Sequence, residues 1–99
     1  MDFKFSQKSS DLQEKMNKFF QDHIFPNEEA YEKAILDSGD PLHIPELLDE
    51  LKDKARKEGL WNLFLPDSEH GAGLTNVDYA PLAEITGQVW WAPEVFNCS

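Results

Sequence analysis

His23, His43, His70 and Cys98 are the residue types most often used as metal ligands, proton carriers or nucleophiles, so their spacing comes first. A helical metal site wants two histidines four residues apart, or a His and a Glu three apart on one face. The three histidines are instead 20 and 27 residues apart. Asp67, Glu69 and His70 cluster in a turn before Gly71 and Gly73, where such residues are ordinarily solvated. Glu28 with Glu29, and Asp49 with Glu50, are sequence neighbours and point apart on a helix, which suits a wet face better than an acid/base pair. Gly71-Ala72-Gly73 is too short for a dinucleotide fingerprint, and Ser9, Ser10, Ser38 and Ser68 lack the surroundings of a nucleophile elbow. Cys98 has no His near it in sequence and reads as a small packing residue. These residues complete no catalytic, cofactor-binding or metal set. Trp90 and Trp91 remain: they could line an apolar pocket or anchor helices, and because neighbours face different ways, at most one should reach a given cavity.

The 99 residues are room for one domain, and by surface-to-volume scaling they bury only about two-thirds of the unfolded surface. With Cys98 as the single cysteine, no internal disulfide can help. The formal charge of -10 repels phosphate backbones and anionic headgroups, so nucleic acid and membrane surfaces are poor partners. No apolar run approaches the roughly 20 residues that cross a bilayer, and Met1 to Ser10 has no signal-peptide pattern; the expected location is cytoplasmic. Charge is unevenly spread. All nine basic residues lie between Lys4 and Lys57, whereas Gly59 to Ser99 has none and holds Trp61, Trp90 and Trp91. Free termini are normally polar, so the apolar end through Val95, Phe96 and Cys98 reads as cut short.

The elements follow from periodicity. Ser9 or Ser10 should cap a first helix with Leu12, Met16, Phe19 and Phe20 on one stripe and a Glu14–Lys18 pair on the other side. Pro26 should break or kink it and push Phe25 out of the helical region. A second piece, from about Asn27 to Leu36, carries Ala30, Tyr31, Ala34 and Ile35 and stops at Gly39. Ser38 to Pro45 reads as a loop. Pro45 opens a helix with Leu47, Leu48, Leu51 and Ala55 inward and Lys52, Lys54, Arg56 and Lys57 near its negative end, stopped by Gly59. Leu60 to Leu65 is either a buried strand or an extended connector. Thr75 or Asn76 starts a further helix, with Thr75 and Asp78 resembling a capping box, Pro81 kinking the axis, and Leu82, Ile85, Thr86 and Val89 inward. From Glu94 onward comes the first turn of another helix. The fold class is all-α, a partial bundle of three to four helices.

Glu58-Gly-Leu-Trp-Asn-Leu-Phe-Leu-Pro66, the turn through Gly71-Ala-Gly73-Leu, the helix Asp78-Tyr-Ala-Pro-Leu-Ala-Glu-Ile-Thr-Gly87 and Trp91-Ala-Pro-Glu-Val-Phe-Asn-Cys-Ser99 together resemble the N-terminal helical domain of acyl-CoA dehydrogenases, most of all the large-chain branch. The resemblance runs from about Leu12 to Ser99 and is strongest after Gly59. One departure is His70, which stands where the family's turn usually has glycine.

The resemblance implies an enzyme in which FAD takes two hydrogens from the α and β carbons of an acyl-CoA thioester, a carboxylate removing the α proton. It further implies that residues 1–99 are an incomplete N-terminal domain forming one wall of the acyl pocket. The middle and C-terminal domains would bring the flavin site and the catalytic carboxylate, electron-transfer flavoprotein is a possible acceptor, and the parent enzyme is expected to be a homo-oligomer. By position, Val95, Phe96 and Ser99 are the candidate pocket residues. FAD is not expected to be held by this chain alone. The competing reading from the residues is a stand-alone helical interaction module that docks through Trp61, Trp90 and Trp91.

Overall fold

The computed structural model describes residues 5–65 and 73–98. Its first helix, α1, is Gln7–Phe19, three residues longer at its start than a Ser9 cap would give and four longer than a Ser10 cap would give. Ser6 is the cap instead: its backbone is extended and its Oγ accepts the Ser9 N–H at 3.1 Å. Ser9, placed in the first turn, spends its hydroxyl elsewhere, donating to the Asp78 carbonyl at 2.6 Å. Met16, Phe19 and Phe20 are buried as the stripe requires. Lys18 pairs forward with Asp22 at 2.5 Å rather than back with Glu14.

Pro26 alters the helical path without ending it. The turn Phe20–Ile24 widens to the π-helical pattern, Phe25–Asn27 tightens to 3-10, and α2 then runs Glu28–Ser38. Phe25 keeps helical angles (φ -59°, ψ -42°), contrary to the expectation that the proline would exclude them. Widening the turn ahead of Pro26 offers a way to accommodate its missing N–H and its bulk, and Asn27 Nδ2 donates to the His23 carbonyl at 2.6 Å. Of the second stripe only Tyr31 is fully buried; Ala34 and Ile35 are half-buried and Ala30 is exposed.

Gly39 ends α2 in the left-handed region at φ 72°. Helix α3 is Glu46–Lys57, capped by Pro45, with Leu48, Leu51 and Ala55 inward and Lys54, Arg56 and Lys57 in its last turn. Among the described residues there is no strand: Leu60 to Leu65 is a turned connector that buries Leu60 and Leu63. Asn62 takes a left-handed conformation there, its N–H donating to the Phe96 carbonyl at 3.1 Å.

Helix α4, Asn76–Thr86, begins at Thr75, whose Oγ1 accepts the Asp78 N–H at 3.2 Å. The reciprocal half of a capping box is not made. The Asp78 carboxylate accepts the Ser6 N–H at 2.9 Å instead, so the N-termini of α1 and α4 are clasped together. A one-turn helix, α5, is Ala92–Val95; Phe96 follows it and Asn97 turns left-handed at φ 57°. Helix α1 packs against α4, and α3 against α5. The shared core gathers Met16, Phe20, Leu51, Leu60, Leu82 and Phe96. The described residues thus form an all-α partial bundle.

Candidate functional site

The turn that follows α4 buries Val89 and sends the two tryptophans in different directions around one ring. Trp91 stacks flat on Tyr31, centroids 4.2 Å apart and planes 6° apart, and is 2% exposed. Trp90 meets the same Tyr31 edge-on at 6.0 Å and remains 69% exposed. Both nevertheless line one surface hollow of about 380 Å³, together with Tyr31, Leu42, Ile44 and Lys52. The expectation that only one of the pair could reach a given cavity is therefore corrected: with Tyr31 between them, two divergent rings still border the same space. Burial raises the Tyr31 phenol above its ordinary pKa, and the Glu94 carboxylate adds to the rise.

The three-tryptophan docking surface does not form as expected, because Trp91 is in the core. Trp61 is half-buried and carries the Arg56 guanidinium 4.1 Å above its ring centroid, a cation–π contact.

The pocket candidates lie deeper. Val95 and Phe96 are 0% exposed; Phe96 stacks on Phe20 at 5.9 Å and meets Phe19 edge-on at 5.3 Å. Neither lines the hollow beside Trp90. Ser99 lies outside the described residues, as do Asp67, Glu69, His70 and Gly71. Of the remaining histidines, His23 packs edge-on against Phe19 at 4.8 Å, while His43 is in the exposed loop before α3. Among the described residues no three His, Cys, Asp or Glu side chains converge as a metal site. Cys98 packs beside the core, its thiol raised by burial despite hydrogen bonding to Tyr79 and to the Phe64 backbone. A raised thiol pKa leaves less thiolate, which suits packing better than nucleophilic work.

A flavin pyrophosphate needs free N–H donors and positive charge. At the clasp of α1 and α4, donors are already taken by Ser6 Oγ, Thr75 Oγ1 and the Asp78 carboxylate, and that carboxylate is held below its ordinary pKa chiefly by the Ser6 N–H. The clasp is therefore a poor fit for the cofactor. Among the described residues, no helix is long and apolar enough to cross a membrane.

No protein-family model matches the chain. Individual proteins do. "Probable acyl-CoA dehydrogenase FadE2" of Mycobacterium tuberculosis is 43% identical over 101 aligned positions, covering 100% of this chain and 24% of that protein. "Acyl-CoA dehydrogenase family member 10" of Mus musculus is 42% identical over 89% of this chain and 9% of its own length. A solved structure described as "a putative acyl-CoA dehydrogenase from Mycobacterium abscessus" superposes with a TM-score of 0.85 at 42% identity, covering 98% of this chain and 26% of that one. In sequence along its whole length, and in the fold of its described residues, the chain is homologous to a segment of acyl-CoA dehydrogenases and spans about a quarter of their length or less.

Proposed function

We propose that the chain serves as the N-terminal helical part of an FAD-dependent acyl-CoA dehydrogenase, which oxidises the α,β bond of acyl-CoA thioesters. The observation that carries this reading is the alignment of the whole chain, at 43% identity, with a protein named for that activity. On this reading the chain supplies shape rather than chemistry. Phe96, wedged between Phe19 and Phe20, and Val95 beside it give a rigid apolar backing to one wall of the acyl pocket; Ser99 joins them as a pocket candidate by its position in the sequence alone. An apolar wall excludes water from an alkyl chain and favours its binding by about 0.8 kcal/mol per buried methylene.

FAD, when bound, accepts the hydride; the flavin site and the proton-abstracting carboxylate belong to the middle and C-terminal domains of the longer enzyme. Those domains, acyl-CoA and an electron-transfer flavoprotein are its partners, and the parent enzyme is a homo-oligomer in the cytoplasm. The chain by itself is inactive.

A chimera tests this. The chain replaces the matching segment of the Mycobacterium tuberculosis relative, and bound flavin and acyl-CoA-dependent dye reduction are measured for the chimera and for the isolated chain. The expected result is a flavin-loaded, active chimera and an isolated chain with neither property. Stoichiometric FAD and turnover in the isolated chain, or a flavin-loaded chimera with no turnover, would overturn the proposal.

A further inference from the structure

The most exposed apolar side chains border adjoining surface hollows. Leu36 is 79% exposed, Leu42 85%, Ile44 69% and Trp90 69%, and they come from α2, from the loop before α3 and from the turn after α4. They form one continuous strip. Trp90 borders both the hollow lined by Leu42 and Ile44 and a second one lined by Ile35, Leu36 and Glu32. Pro41 closes the loop of contacts by joining the first hollow to a third that Ile35 and Leu36 also line. Scattered single apolar residues need no explanation, but convergence of three elements on one strip does.

The border of this strip is negative. Glu28, Glu32 and Leu36 fall four residues apart along α2 and so form one row, with Glu29 beside it on the hollow that all of them line. Glu28, Glu29 and Glu32 have no ion-pair partner among the described residues. The nearby cations are engaged, Lys33 with Asp37 at 2.6 Å and Lys52 with Glu94 at 4.0 Å. A second copy of the chain, with its own charge of -10, is repelled from such a border. The complementary occupant has apolar residues on one face and Lys or Arg along its edge.

We propose that the Leu36–Leu42–Ile44–Trp90 strip is a docking groove for a basic amphipathic helix of another polypeptide. Its apolar face would cover Trp90 and the leucines, and its basic edge would lie along the Glu28–Glu32 row. The inference goes beyond the acyl-CoA reading.

The test uses the 99-residue chain and three labelled peptides of about 18 residues, five helical turns each. One has Leu and Lys at amphipathic spacing, the second has Glu in place of Lys, and the third has the first peptide's composition scrambled to remove the apolar face. Binding is followed by anisotropy, and the self-association of the chain by sedimentation. The amphipathic Leu/Lys peptide should bind most tightly. Its affinity should fall with added salt and weaken about tenfold in Trp90→Ala and in Leu42→Ser, both exposed enough to leave the core intact. Val77→Asp, an exposed apolar position on α4, should leave affinity unchanged. Equal binding of the scrambled or Glu peptide, or unchanged affinity in both groove variants, would overturn the proposal. So would a dimer that Trp90→Ala dissolves, because a second copy would then be the occupant.

Discussion

Tyr79 and Cys98 meet at the edge of the core, and both are pushed above their ordinary pKa, chiefly by burial and, for Tyr79, also by Cys98. A raised value in the folded state means that the unfolded chain loses its proton first, so stability falls as pH rises. The fall should begin near the ordinary thiol value of about 8.5 and steepen past the ordinary phenol value of about 10, where Tyr31 joins it. Below these values the contribution is fully present. Urea midpoints measured from pH 8 to about 11 should therefore decline, and Tyr79→Phe should flatten the part above about pH 10. Parallel declines in the two proteins would place the alkaline sensitivity elsewhere. The same neighbourhood explains why Cys98 was readable as a packing residue: the absence of any sequence-adjacent base matches a thiol that burial keeps protonated.

Helix boundaries are where local chemistry decides most. Gly39 has open space around the position a Cβ would take, so a substitution there meets no clash; what it meets is φ 72°. Gly39→Ala should cost about 1–2 kcal/mol by backbone strain alone, read as a lowered urea midpoint with unchanged slope. A neutral result would mean that α2 can end differently. This stop, like Gly59 and the Thr75 cap, was legible because a glycine or hydroxyl acts on its own few neighbours. The start of α1 was less so: choosing Ser6 over Ser9 depended on Asp78, 72 residues from Ser6, which draws both serines to α4. The widened turn before Pro26 was likewise hidden, since a proline signals a missing donor but not whether the chain stops or adjusts its pitch. Leu42 and Ile44 read simply as loop residues. Their part in the exposed strip appears only when α2 and the turn after α4 are brought beside them.

As a whole the molecule is drawn out. Its radius of gyration is 14.5 Å and its extents are 51 × 27 × 20 Å, against about 13 Å for a compact chain of 100 residues. Helix α2 buries only Tyr31, and that ring's aromatic partners are Trp90 and Trp91. Tyr31→Ala should therefore release α2 from the bundle while α1, α3 and α4 stay packed. Scattering should show a larger radius of gyration, and amide exchange should speed up across Glu28–Ser38 but not across Glu46–Lys57. Undiminished protection in α2 would show that another contact holds it.

The Tyr31–Trp91 stack also gives the protein optical reporters. A buried indole lying flat on a phenol has a fixed asymmetric environment and should dominate the near-ultraviolet dichroism, fading when α2 leaves. Trp90, one residue away and mostly in water, should emit at longer wavelength and shift to the blue when something covers it. Two neighbouring residues thus separate events that a single probe would blend: one signal follows the seating of α2, and the other follows occupation of the surface beside it.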